Sequence, residues 1–407
     1  MNQELYHKYA ELAVKIGVNL QKGQEVIVRA SLNSAPFVRE IVEQAYLNGA
    51  KRVSVDWSDE FINRCYYQYA DEETICEIRQ WELEKMAHRC KVLPCRIYVD
   101  DADPNAFDGL DMDKILKERM VRYTSFKKYT DEIENKEQWT IIAVPSAAWA
   151  KKMFPNDSEE EAVQKLWDAI IKCTRLEGDP IANWEEHIAY LKEKSKKMND
   201  YNFDYLTYRS ANGTNLKLHL QKNHEWLSAR EKSLQGYEFS ANMPTEEVFT
   251  MPAKYGADGV VVSTKPLSYQ GNLIEDFKIT FEKGKAVAVE AKTGQQVLEK
   301  MISLDEGSAY LGEVALVGFD SPINQTGYLF YNTLFDENAC CHLALGMAFK
   351  NNIKGYETMT EEDFKAVDFN DSANHVDFMI GSEDLLIIGT TFDGTEVEVF
   401  KDGKWAI

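Results

Sequence analysis

Between Leu5 and Pro145 the chain repeats one pattern, a helical stretch followed by a short and strongly apolar run. A helix over roughly Leu5–Leu20 leads to EVIVRA (Glu25–Ala30). SAPFVREIVEQAYLNGA then reads as a helix with Ser34 as N-cap, Pro36 in its first turn and Gly49 near its end. Further strands are expected at RVSVDW (Arg52–Trp57), RIYVD (Arg96–Asp100) and TIIAVP (Thr140–Pro145). Runs of this kind suit strands buried on both faces with helices between them. The alternation predicts an α/β domain with a largely parallel sheet.

Two helical patterns follow, Ser158–Leu176 with an acidic start and Asn183–Met198 with a basic end. Beyond them the texture changes. YLTYRSANGTNLKLHL places Asn212-Gly213 between alternating apolar positions, a hairpin signal, and the pattern returns around Gly284 and Gly403. A chain of 407 residues exceeds what one hydrophobic core organises. The expected division is residues 1–198, an α/β domain, and 199–407, an α+β domain rich in antiparallel strands.

The charge balance, 46 Lys+Arg against 67 Asp+Glu, leaves a formal −21. Such a surface repels phosphate backbones and attracts cations, which argues against a nucleic-acid partner. Seven cysteines without a CxxC pair point to free thiols in a reducing compartment. The N-terminal MNQELYHKYAELAVKIG reads as an amphipathic helix rather than a signal peptide, and no apolar run approaches the ~18 residues a membrane span needs. A cytoplasmic protein is expected.

Nucleotide motifs fail: no GxGxxG follows a strand, and Gly284-Lys285 lacks the rest of a phosphate loop. DDADPNAFDGLDMDK begins like a calcium loop at Asp101, Asp103 and Asn105, but has Ala106 where Gly is needed and Met112 where Glu is needed. A solvated acidic loop is expected there. No GxSxG elbow is present.

Chemistry gathers in the C-terminal half. His375 and Asp377 form HVD in a stretch of strand character, where i and i+2 point to one face. His342 follows Asp336-Glu337-Asn338, with Asn338 as an expected N-cap and His342 one turn into a helix. Glu337 and His342 then converge only at a loop–helix junction. Glu313 sits among apolar neighbours in GEVALVGF, and Glu246-Glu247 interrupt MPTEEVFTMP; an ionised carboxylate buried in such runs needs a cation. Two histidines with these acids meet the ligand needs of a two-metal site. The remaining histidines, His7, His88, His187, His219 and His224, are expected to be structural, without acidic convergence.

The ordered segments NMPTEEVFTMP, LGEVALVG, FYNTLFDENACCHLALG and NHVDFMIGS resemble the aminopeptidase T, aminopeptidase S and PepS family of metallo-aminopeptidases. The resemblance implies metal ligands at Glu247, Glu313, Glu337, His342, His375 and Asp377, with Glu246 beside them as a supporting or solvent-facing residue. It implies two divalent ions per chain, zinc, cobalt or manganese, activating a water that hydrolyses the N-terminal peptide bond of short peptides. It also implies a homodimer whose sites face an enclosed cavity, with the α/β domain walling or gating it. A family tyrosine seven residues beyond the third-segment histidine falls here on Phe349, so no catalytic tyrosine carries over. Two alternatives stand beside this: a non-catalytic metal-dependent peptide-binding module, and a cysteine hydrolase using Cys340 or Cys341 beside His342.

Overall fold

A computed structural model describes residues 3–269 and 271–407. The chain divides into two compact units, one of Met1–Glu186 with Arg230–Pro244, the other of His187–Ala229 with Thr245–Ile407.

The first unit carries a five-stranded parallel sheet in the order Arg52–Ser58, Glu25–Ser31, Cys95–Asp100, Trp139–Ala143, Asn242–Met243. Val26, Val28, Ile97 and Ile142 are buried, as the apolar runs predict, while the edge strand Arg52–Ser58 leaves Arg52, Ser54 and Trp57 exposed. Phe37, Val38 and Ile41 bury one stripe of the helix Ala35–Leu47. The N-terminal helix is shorter than its sequence suggests: Gln3–Leu12 passes into one π-helical turn, Ala13–Gly17. Tyr9 locks it, its buried hydroxyl donating to the Ala143 carbonyl at 3.2 Å. Between the strands, the buried Glu137 accepts a two-pronged hydrogen bond from Arg89 and forms an ion pair with the Arg96 guanidinium at 2.9 Å.

Two sequence expectations change here. Ser34 precedes its helix but its hydroxyl does not cap it; it donates instead to Asp101. Asp101 in turn is buried rather than solvated, because Ser31 and Ser34 together satisfy one of its oxygens.

The second unit is antiparallel, as the hairpin signals predict. Its nine-stranded sheet runs Leu267–Tyr269, Asn272–Glu282, Pro252–Val262, Asn215–Leu220, Phe203–Arg209, Leu386–Thr391, Glu396–Lys401, Lys404–Trp405, with Lys285–Thr293 pairing Asn272–Glu282. Gly213, Gly284 and Gly403 turn three of its hairpins at φ 106°, 82° and 68°. A four-stranded sheet follows in the order Val248–Thr250, Leu311–Leu316, His342–Gly346, His375–Met379. Almost every residue in it is buried, which is why its strands read as apolar runs interrupted by out-of-place acids and histidines.

Candidate metal centre

The four-stranded sheet places the candidate side chains by register alone. Glu313 and Asp377 lie on either side of Ala344 in one cross-strand row. His342 precedes Ala344 by two residues and His375 precedes Asp377 by two, so each imidazole shares the carboxylates' face. Ala344 ends at a methyl group, leaving the centre of the row open for the long side chains around it. Glu247 enters from the residue just before the strand Val248–Thr250.

The polar atoms meet in two groups with Glu313 in both. His342 Nε2 lies 3.2 Å from Glu247 Oε2 and 3.5 Å from Glu313 Oε1. His375 Nε2 lies 3.6 Å from Glu313 Oε2 and 3.4 Å from Asp377 Oδ1. Each set of three offers ligand atoms within 4.8 Å of one another, close enough to hold one ion apiece. Both imidazoles turn Nδ1 to a backbone carbonyl, His375 to Met347 at 2.8 Å and His342 to Cys340 at 3.4 Å. A proton held there leaves Nε2 bare, the arrangement that orients ligating histidines.

Glu337, the sixth candidate, stands outside both three-residue groups but inside the same electrostatic field. Burial, then the carboxylates of Asp377 and Glu247, hold its carboxyl well above the usual range. Burial and the same neighbours also raise Glu313. Burial works against charge on His375, yet Asp377 and Glu313 outweigh it and push its pKa up to about 9. Burial would raise Asp377 too, but His375 holds it below the ordinary carboxylate value. So many acids crowded in a buried sheet are the mark of a site built around positive charge. The donor set of carboxylate oxygens and imidazole nitrogens, with no thiolate, fits a divalent transition ion.

His342 is not helical. It opens the strand His342–Gly346, and Glu337 reaches the site from a single 3-10 turn, Glu337–Ala339. Asn338 is likewise no N-cap: fully buried, it donates to the Leu334 carbonyl at 3.1 Å and accepts the Glu246 N–H at 2.7 Å, tying the Glu247 segment to the Glu337 turn. Asp336 braces the preceding loop by accepting the N–H groups of Phe330 and Asn332, and burial pushes its pKa up to about 7. The sequence marked Asn338 for a different role and left Asp336 unassigned; the signal for both braces was a polar DEN triplet set against an apolar run. Glu246 is buried and faces His187 at 3.7 Å, so that histidine does meet an acid; His7, His88 and His219 also face carboxylates. Phe349, in the tyrosine's expected place, lays its ring 4.7 Å from His375. The cysteines fit no nucleophile: Cys340 and Cys341 are buried, and burial raises both thiols, Cys341 to about 12.

Residues 2–405 match the family described as Thermophilic metalloprotease (M29). The chain is 46% identical to aminopeptidase AmpS of Bacillus subtilis over 98% of its own length and 97% of the relative's. It is 42% identical to aminopeptidase PepS of Streptococcus thermophilus over 100% of this chain and 98% of that one. The solved structure of wild-type AmpT from Thermus thermophilus superposes with a TM-score of 0.92, at 38% identity and with all of both chains covered.

Proposed function

The chain belongs to the thermophilic metalloprotease (M29) family and is a metal-dependent aminopeptidase; from that premise we propose that it removes N-terminal residues from short peptides at a centre of two divalent ions. The observation that carries this is Glu313, whose two oxygens each face a different imidazole. In this assignment Glu247, Glu313 and His342 hold one ion, Glu313, His375 and Asp377 the other, with Glu337 completing the set. Ions held there supply Lewis acidity and a water acidified toward neutrality. Zinc, cobalt or manganese suit the mixed oxygen and imidazole donors; magnesium does not.

The protein's own side chains do the rest. The Nδ1 bonds to Met347 and Cys340 fix both imidazole planes before any ligand arrives. The surplus of carboxylates favours the ammonium end of an approaching peptide. With both oxygens of Glu313 assigned to the ions, proton transfer falls to another of the site's carboxylates, such as Glu337 in the same buried cluster. The α/β unit contributes none of the six side chains. Free cysteines throughout suit the cytoplasm, and a homodimer completes the proposal.

The test is release from aminoacyl-anilide substrates after chelator stripping and reloading with zinc or cobalt. Glu313→Gln and His342→Ala should each cut turnover by about a thousandfold or more, while light scattering still gives twice the 46.7 kDa chain mass. Near-normal turnover by either reloaded variant overturns the assignment.

A further inference from the structure

The α/β unit contains a cavity of about 770 Å³ at the carboxyl ends of its parallel strands. The strand order explains the position. From Glu25–Ser31 the chain goes to the neighbour on one side, Arg52–Ser58, and then to the neighbour on the other, Cys95–Asp100. At such a reversal the connections leave in opposite directions and open a crevice, the place where open α/β sheets bind ligands. The volume lies inside the ~300–1,000 Å³ typical of small-molecule sites.

Register sets the chemistry of its floor. Arg29 and Tyr98 are cross-strand partners, and Ser31 and Asp100 follow two residues further along the same face. That spacing is about 6.6 Å along the strands. Beside Asp100, the buried Asp101 accepts the hydroxyls of Ser31 and Ser34 on one oxygen. Tyr66 and Tyr67, from the helix Glu60–Tyr69, and Phe107 add aromatic walls. Of the lining guanidiniums, Arg64 is committed to the Ala106 and Asp108 carbonyls, Arg122 to Glu82, and Arg119 lies over the Phe107 ring at 5.4 Å. Arg29 is exposed and, among the described residues, has no hydrogen-bond or ion-pair partner. The crevice therefore offers the Arg29 cation, the carboxylates of Asp100, Asp101, Glu60 and Glu118, and aromatic rings.

We propose that this crevice binds a short zwitterionic peptide, its carboxylate on Arg29 and its ammonium toward Asp100 and Asp101. An extended dipeptide spans about 7 Å at ~3.3–3.6 Å per residue, comparable to the two-residue backbone offset between Arg29 and Asp100. The site shares no residue with the metal centre, and it takes the class of molecule on which an aminopeptidase acts.

The experiment is calorimetric titration of the dipeptide Ala-Phe into chelator-treated full-length protein carrying Glu313→Gln, in which the probe survives intact. Saturable binding is expected, weakened about tenfold or more by Arg29→Ala, because a charge-assisted contact is lost. N-acetyl-Ala-Phe and Ala-Phe amide, each lacking one charge, should bind weaker by a similar factor. Arg29→Ala should leave the melting temperature unchanged, since the side chain is exposed and unpaired. Absence of binding at millimolar peptide, undiminished binding to the Arg29→Ala protein, or equal affinity for the capped probes each overturns the proposal.

Discussion

What a buried histidine can do depends on the partner of each ring nitrogen. His342 and His375 spend Nδ1 on backbone carbonyls and face carboxylates with Nε2. His224 also turns Nδ1 to a carbonyl, that of Gln221 at 2.8 Å, but its Nε2 is buried without a partner. Burial therefore pushes its pKa down to about 4. The sign follows from where the proton goes. The unfolded chain takes it up first as pH falls through about 6.5, so stability is full above that value and is lost toward pH 4. The two-and-a-half-unit gap corresponds to about 3 kcal/mol. Urea unfolding of metal-stripped protein should show wild type losing about that much more than His224→Phe between pH 7.5 and pH 4; parallel profiles would refute it. At this scale the sequence was informative wherever a charged or imidazole side chain interrupted an apolar run, as at Glu313, Glu247 and His375. It misassigned Asn338 as an N-cap and His187 as lacking an acid, because their contacts come from chain segments about ninety and sixty residues away.

Among elements, amphipathic helices and strands flanked by turn signals were legible although the expected caps Ser34 and Asn338 were not; the helix read from its acidic start is capped by Ser158, which closes a capping box with Glu161. The stretch CCHLALG was not. A short apolar run buried on both faces has neither period 2 nor period 3.6, so length and surroundings decide, and here two partner strands make it a strand. The end of that strand shows how narrowly the site is held. Gly346 pairs with His375, adopts φ 107°, and a Cβ on it would come within 2.0 Å of the Asn374 carbonyl oxygen. Alanine there brings both an unfavourable backbone conformation and a clash with main chain, costing about 3 kcal/mol or more. Gly346→Ala should therefore lower the unfolding free energy by that amount and, by displacing His375, weaken metal retention in equilibrium dialysis. A variant with wild-type stability would show that the two strands separate more easily than their register implies.

For the whole molecule, the change from alternating helix and strand to repeated hairpins was readable because a parallel sheet and an antiparallel one impose different connections. What the linear pattern did not convey is that Arg230–Pro244 returns to the first unit, contributing the strand Asn242–Met243 beside Trp139–Ala143. A two-residue strand is too short for any periodicity. The division has a thermodynamic consequence. All six candidate ligands lie in the second unit, so on the proposed assignment ion binding would stabilise the state in which that unit is folded, by about 2.7 kcal/mol for an ion at a hundredfold excess over its Kd. Without the ions, the buried carboxylates of Glu247, Glu313 and Asp377 would have two imidazoles as partners, with Glu337 buried beside them. Hydrogen exchange should therefore accelerate on chelation in Leu311–Leu316, His342–Gly346 and His375–Met379, and recover on reloading, while Glu25–Ser31 and Cys95–Asp100 change little. If protection fell equally in the parallel sheet, the ions would be supporting the chain as one cooperative body; if it fell in neither, the six side chains would not be holding them.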